Sequence, residues 1–543
     1  MRIGVIGFLK AYLPFVTATL AITAPWFFAP GFLFLTDLSW GPLVPLEWRL
    51  PTFFPNLIIV GLNTFLPLPL VQKLFVSGAF LTAVMGGRSV ARQFLSGNFA
   101  IFAVSLFALF NPFVYDRAGY GQFGIIYAFG FLCLTAASLI GFSRGREPRG
   151  MAFAGLWSGL AIMFSPHFLF FSGAFYALAI NVSLTRGESL RRVAAGALLA
   201  GVLAFGVNAN WLVPALAGSS VVAETVGTRI TREHLVAFQT SGETGLGALL
   251  NVVMLSGFWG KDQLRYVDLS RLGGLWGKAF MLLAPLMLYG AIRALRGSDR
   301  GERRLAIGLL VLIVSGWILA VGIRLPVARE LTHWLFDHLP LYKGNRETQK
   351  WVSVVAVGYT VFLALGVREF LKLSLVRAHR EVITGLLAAV IVMQAPTLLW
   401  GMGGQVRPVN FPPDWAETDR LLVQDDCPGT VLFLPWHQYL SFAWTDTVVY
   451  NPAKFFFRCP ILQGKNMEWA GIYDSSNAPE GIAVTRWVLK EGQTELFLDH
   501  RLGLTHIILA KGADWERYAW LDTDPGLEPV FEGPYIKLFK IRQ

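Results

Sequence analysis

Apolar residues in this chain do not alternate with polar ones. They arrive in long blocks, such as LAIGLLVLIVSGWILAVGI over 305–323 and VITGLLAAVIVMQAPTLLW over 382–400. Each block is about 18 to 20 residues long, enough to cross a hydrocarbon core of about 30 Å as helix. The pattern predicts about eleven membrane helices, at roughly 8–34, 69–88, 97–114, 122–142, 150–165, 168–184, 193–214, 276–294, 305–323, 351–368 and 382–402. The stretch 56–88 reads as one crossing with an interfacial lead-in, which makes the later basic clusters agree; two short crossings are the alternative and would flip everything after them. The first segment lacks a small-residue cleavage site and reads as a retained helix. From Gly403 onward the pattern changes to short apolar runs bounded by turns: TVLFLPW, THIILAKG and YIKLFKI. These are strand signals, and a helix is expected over 479–491. The expected fold is thus an α-helical polytopic membrane domain, 1–402, followed by a small α/β domain, 403–543.

Composition agrees. Hydrophobic residues make up 54% of the 543 and charged residues 15%, against about 25% charged in a typical soluble domain. Lys and Arg number 46 against 35 Asp and Glu, for a net charge of +11. That surplus does not point to nucleic acid, because it lies in short clusters between apolar blocks. Arg2 and Lys10, Arg88 and Arg92, Arg144 to Arg149, Arg186 to Arg192, Arg293 to Arg304, and Arg368 to Arg380 fall at alternate connections. The positive-inside rule places these in the cytoplasm. The N-terminus is then cytoplasmic and the C-terminal domain extracytoplasmic, in a multi-pass protein of the plasma membrane. The outer connections 35–68, 215–275 and 324–350 are the long ones, and loops of that length are commonly functional. Cys133 lies in an apolar block. Cys427 and Cys459 both lie in the C-terminal domain, where an oxidising compartment would allow a disulfide, two free buried thiols being the alternative.

Polar residues gather at the outer ends of these helices. Asp37 follows the first helix in FLTDLSWGP, within an aromatic, Pro-rich loop expected to lie on the membrane surface. A carboxylate there suits a general base or a cation ligand; a solvated helix end is the plain alternative. Asp116 and Arg117 stand in NPFVYDRAGYGQ, beside Gln122, where charge near the bilayer core is expensive unless used. A helix-end ion pair would also explain them. His167 in FSPHFLFF, and Asn210 with Trp211 in VNANWLVP, lie at the same level; a structural hydrogen-bonder and an interfacial cap are their ordinary roles. The densest cluster is LYKGNRETQKW. Lys343, Arg346 and Lys350 are spaced to share one face of a helix. Three cations on the outer side break the positive-inside preference, so they call for an anion: a phosphate ligand, an outer-leaflet headgroup, or Glu347. There is no Walker loop, no His-Glu-x-x-His and no Cys-x-x-Cys.

The order of these features resembles the C-superfamily (GT-C) of membrane glycosyltransferases: an acidic first outer loop, an acidic second outer loop, a basic outer motif before a late helix, then an exported domain. NPFVYDRAGYGQ, NANWLVP and YKGNRETQKW are also similar to stretches of YfhO-like proteins and of the membrane part of mycobacterial-type arabinofuranosyltransferases. The resemblance covers roughly 1–402. It implies transfer of a sugar from a polyprenyl-phosphate donor to an extracytoplasmic glycan, lipid or protein acceptor. It implies Asp37 as the base and Asp116 as the second acidic residue. Lys343, Arg346 and Lys350, with Arg117, would hold the donor phosphate. His167, Gln122, Asn210, Trp211 and Glu347 would position substrate. Asp37 is a single carboxylate where several families carry a pair, so Mg2+ or Mn2+ on Asp37 and Asp116 is left open and no cofactor is assigned. The oligosaccharyltransferase hallmark Trp-Trp-Asp-Tyr-Gly is absent. A flippase for lipid-linked sugars and a non-catalytic envelope assembly protein are the competing readings. Trp436, His437, Trp444, Trp469 and Trp487 offer stacking faces for a glycan acceptor, with core packing as the alternative.

Overall fold

The computed structural model describes residues 5–147, 149–218, 230–339, 341–469, 472–474, 479–489 and 502–542. Arg2 and the expected helical residues 490 and 491 lie outside them. The residues divide into two compact units. The first comprises 1–25, 47–54 and 74–405, and the second 26–46, 55–73 and 406–543.

Helices of the first unit begin with α1 (Val5–Phe27), α2 (Phe53–Asn63), α3 (Leu68–Arg92), α4 (Asn98–Leu106), α5 (Pro112–Tyr120) and α6 (Phe123–Ser143). They continue with α7 (Gly150–Phe164), α8 (Phe168–Thr185) and α9 (Leu190–Leu216). After the connection come α10 (Leu275–Arg296), α11 (Arg300–Val321), α12 (Val352–Phe370) and α13 (Arg380–Val392); α1, α2 and α3 straddle the division between units, with most of α2 in the second. Among the described residues, seven helices are long and apolar enough to cross a membrane, and eight if α13 with the bent segment Pro396–Gly403 is one span. The expected eleven is therefore too many. The expected 97–114 is two helices, because Asn111 and Pro112 start a new one. The expected 150–165 is α7, whose 15 residues reach only about 22 Å at about 1.5 Å per residue. The expected 382–402 is bent by 76°, where Pro396 cannot donate to a helical carbonyl. The expected 8–34 leaves the helix at Phe27. Helix α2, at 11 residues, is too short to cross, which leaves α3 as the long helix of 56–88.

Burial separates these helices. Every residue of the span Thr348–Phe370 that sets its hydropathy is buried, whereas in α9 only 11% are. Leu198, Leu199, Val202, Phe205 and Leu216 of α9 are exposed. That is the face a lipid solvent covers, and α12 is the axial helix around which the others pack. Helices α10 and α12 touch through glycines: a Cβ on Gly366 would run into the backbone of Leu286, and one on Gly290 into that of Phe362. Small residues at such crossings let helix backbones meet.

The second unit contains a five-stranded sheet whose strands lie in the spatial order 527–532, 536–541, 504–510, 430–434 and 461–463. Its strands are β3 (Thr430–Leu434), β6 (Ile461–Gln463), β9 (Leu504–Ala510), β10 (Leu527–Glu532) and β11 (Ile536–Ile541). β3 pairs in parallel with β6 and β9, and β9 to β11 and β11 to β10 are antiparallel. Helices α14 (Pro413–Gln424) and α15 (Pro479–Leu489) belong to the same unit. Leu432, Leu434, Val484, Trp487, Ile507 and Leu509 form its core. Trp436 and Trp487 belong to that core. Cys427 and Cys459, just before the parallel neighbours β3 and β6, are joined as a disulfide with Cα atoms 5.3 Å apart.

The sequence boundary at 403 assigned the whole of 1–402 to one domain and laid the first long loop on the membrane. The structure instead builds 26–46 into the second unit. β1 (Phe32–Leu33) pairs with β2 (Pro408–Val409). Gln72 completes the pairing, accepting from Leu33 N–H at 2.7 Å and donating back to Leu33 O at 2.9 Å. Phe34 meets Phe411 and Trp444 edge to face. Phe32 and Phe34, which the expected first helix covers, are thus core of the second unit, whereas Trp48 and Phe65 of the loop are exposed. Replacing Gly366 by Leu should overpack the α10–α12 crossing and cost about 1–3 kcal/mol. Thermal unfolding in detergent would show a lowered midpoint, and a wild-type midpoint would contradict the crossing.

Candidate functional site

Helix α5 exists because of its ends. Asn111 Oδ1 accepts from Val114 N–H at 3.0 Å, Pro112 fills the first turn, and Gly121 closes the helix at φ +92°. That conformation suits glycine. All nine residues of α5 are buried, Asp116 and Arg117 included.

Asp116 and Arg117 do not pair with each other. Arg117 Nη1 donates to Glu347 Oε2 at 3.0 Å and also to the Gln122 side-chain oxygen. Its guanidinium lies 4.2 Å from the Phe258 ring centroid. Nη2 has no hydrogen-bond partner. Asp116 Oδ1 accepts from the Tyr266 hydroxyl at 3.1 Å, and its buried Oδ2 has no partner. Burial pushes the Asp116 carboxyl up to about 7, against the opposing pull of Lys261 and with Asp268 adding to the rise. Lys261 and Asp268 line an open cleft of about 560 Å³, with Ser241, Glu243, Thr244 and Asp262.

The basic motif is not the single helical face its spacing suggested. Tyr342–Arg346 and Thr348–Trp351 are two 3₁₀ turns broken at Glu347 (φ −89°, ψ 81°), and Leu341 before them sits at φ +66°. The three cations therefore part company. Lys343 and Arg346 stay half-buried, with Arg346 4.9 Å from the Phe238 ring centroid. Lys350 turns inward and is buried, its Nζ 3.3 Å from Glu347 Oε1. Burial opposes ionisation of Glu347, yet Lys350, Arg117 and Arg346 together hold its carboxyl below the ordinary carboxylate range.

His167 braces this segment. Its Nε2 donates to Gly344 O at 2.7 Å, and its Nδ1 lies 3.0 Å from the Ser165 hydroxyl, which donates to it. Burial and nearby Lys350 push the imidazole down to about 3, so it is neutral. Gln122 thus joins the cluster. Asn210 and Trp211 are used elsewhere: Asn210 donates to Trp48 O and Leu50 O at 2.9 and 3.0 Å, and Trp211 donates to Asn208. Asp37 belongs to the second unit, is exposed, and accepts from the Tyr439 hydroxyl at 2.9 Å.

Sequence reading missed Tyr266, Phe258, Lys261 and Asn345. Asn345 is buried with both side-chain polar atoms unpartnered. Only the length of 215–275 hinted that it contributes. As for metal, no three His, Cys, Asp or Glu side chains gather to hold an ion among the described residues.

No protein-family model matches the chain, and no curated protein matches it. Among solved structures, the arabinofuranosyltransferase AftD from Mycobacteria aligns at 15% identity and a TM-score of 0.59, covering 98% of this chain and 40% of that one. A variant of AftD aligns at 15% identity and 0.55, covering 98% and 42%. The Archaeoglobus fulgidus oligosaccharyltransferase aligns at 12% identity and 0.43, covering 92% and 65%. The chain thus spans about two fifths of the length of AftD. The likeness to AftD shows a GT-C-type fold.

Replacing Glu347 by Gln leaves Arg117 and Lys350 buried without a counter-charge. Breaking such a pair costs about 3–5 kcal/mol, so the variant should unfold well below wild type. Equal unfolding temperatures would mean that the triad carries no structural weight.

Proposed function

We propose that the chain is a membrane glycosyltransferase that moves a sugar from a polyprenyl-phosphate donor to a hydroxyl acceptor at the extracytoplasmic face. The observation that carries this is a cation-rich, desolvated cluster with unsatisfied polar atoms, set in a GT-C-type fold. Arg117, Arg346, Lys343 and Lys350 outnumber Glu347. The surplus positive charge at the half-exposed Lys343 and Arg346, together with the open Arg117 Nη2, suits a phosphate oxygen.

The reaction forms a bond from the acceptor oxygen to the sugar anomeric carbon and breaks the bond from that carbon to the phosphate oxygen. The leaving lipid phosphate gains negative charge, and fixed cations in a water-poor site stabilise it at no reorganisation cost. The acceptor proton passes to a carboxylate. The resemblance gives that role to Asp37. The environment gives it to Asp116, whose raised pKa and open Oδ2 suit a general base near neutral pH. We assign the proton to Asp116. His167 is a positioning residue that acts through Gly344.

A base with a pKa near 7 works when deprotonated. The value of kcat/KM should therefore rise through about pH 7 and level off above it. With purified protein and a labelled polyprenyl-phosphate sugar, Asp116→Asn should lower turnover by about 10²–10⁴ and remove that limb. If the limb stays in Asp116→Asn and vanishes in Asp37→Asn, the base is Asp37. Sugar transport across vesicles that survives both substitutions, with no transfer, would favour the flippase.

The basic helix ends support the same orientation. Arg144, Arg186, Arg293 and Arg368 lie at the helix ends marked by Glu302, Asp299 and Glu369, and the positive-inside rule puts that end in the cytoplasm. A thiol introduced as Ser298→Cys should react with an impermeant maleimide only in opened cells, and one introduced as Glu528→Cys in intact cells. The reverse pattern would invert the topology and sink an extracytoplasmic site.

A further inference from the structure

A second cavity, of about 380 Å³, opens at the C-terminal end of α3. It belongs to the end of the helices opposite the cluster around Glu347. Helix α6 measures the separation: Gln122, at its start, meets Arg117, and Arg144, past its end, donates to Gln93 O beside this cavity. Its 21 residues span about 32 Å at about 1.5 Å per residue.

Two arginines line it. Arg88 and Arg92 stand one turn apart on α3, where like charges repel. Arg88 is half-buried and lies 4.6 Å from the Tyr12 ring centroid and 5.6 Å from that of Phe15. Among the described residues no carboxylate lies within ion-pair distance of either arginine. Their neighbours at this end differ. Arg144 and Arg368 share Glu302, Arg186 has Asp299, and Arg293 has Glu369. Below the charged rim the wall is apolar, with Phe15 and Phe102 edge to face at 5.4 Å. Helix α4 starts at the same rim, and its N-cap Gly97 offers no side-chain oxygen to the first N–H groups. An uncapped helix start favours an anion beside it.

We propose that this cavity is a phosphate-ester site for the headgroup of an anionic membrane lipid, separate from the donor-phosphate site. A paired guanidinium rim over an aromatic floor matches an amphiphile whose phosphate meets the arginines and whose glycerol carbons meet the rings. The cavity is too small to hold the acyl chains as well. The same rim would accept inorganic phosphate, so the test separates the two sources.

Full-length protein in detergent is titrated with phosphatidylglycerol or phosphatidylcholine and read by native mass spectrometry. Wild type should bind phosphatidylglycerol more tightly. Arg92→Gln should cut that preference about fivefold, and Arg88→Gln with Arg92→Gln should abolish it. Arg92 is exposed, so its single variant keeps the assay interpretable if the double variant fails to fold. Arg304→Gln, a basic residue at the same end and outside the cavity, should leave the preference unchanged. Inorganic phosphate at matching concentration should not displace the lipid. Equal binding of the two lipids by wild type overturns the proposal. So does a preference that survives Arg92→Gln undiminished or falls as far in Arg304→Gln. Displacement by inorganic phosphate at matching concentration assigns the cavity to a free anion and overturns the lipid as its occupant.

Discussion

One buried carboxylate ties the membrane unit together at its working end. Glu347 receives Arg117 from α5, 230 residues earlier in the chain, and Lys350 from its own loop. Two cations in a low-dielectric setting repel each other and lose their water. A single acidic side chain between them makes both tolerable, and neither could stay buried without it. This sets the irregular backbone around it. The chain must break its helix at Glu347 to aim that carboxylate at Arg117. Helix α5 must restart at Asn111 and Pro112 to bring Arg117 within reach.

Such breaks are affordable only in particular surroundings. Non-helical backbone at membrane depth leaves N–H and C=O groups that lipid cannot satisfy. Here protein satisfies them. His167 takes Gly344 O, Gln349 takes Phe238 O, and Thr348 and Thr240 both donate to Ala320 O. The stretch 238–242, which reads in sequence as part of a long loop, is the packing partner that lets the basic motif leave helical geometry. The neutral, braced His167 belongs to the same scaffold, which is why its charge is suppressed.

The long spans were legible in the sequence because apolar length is a local property. The errors lie where a short-range signal competes with it. Asn111–Pro112 is a helix start inside an apolar run, and hydropathy does not register it. Spacings of three, four and seven promise one helical face only if the helix is there, and Leu341 and Glu347 prevent it. The neutralising role of Glu347 was one of the readings open for the basic motif. Arg117 as its second partner was not foreseen, since no pattern along a chain announces a contact across 230 residues. For the same reason the first long loop read as a membrane-surface feature. What the strand pairing with Pro408–Val409 and the ring cluster around Phe411 hold is Phe32 and Phe34 just before it, while its own Trp48 and Phe65 are exposed.

The two ends of the membrane unit treat polar groups in opposite ways, and the contrast carries the functional argument. At one end most arginines are paired off, Arg88 and Arg92 excepted: Arg368 with Glu302 and Glu369, Arg144 with Glu302, Arg186 with Asp299. That end is a fastener. At the other, Asp116 Oδ2, Arg117 Nη2, Arg324 Nε and both polar atoms of Asn345 are buried without partners. Buried polar atoms left open cost about 1–3 kcal/mol each, more than a marginally stable fold leaves uncompensated without cause. A ligand that brings hydroxyls and phosphate oxygens would satisfy the donors and acceptors the protein leaves open. A sugar phosphate has both kinds of group in one molecule, which is why the reading rests on this end and not on the charge count alone.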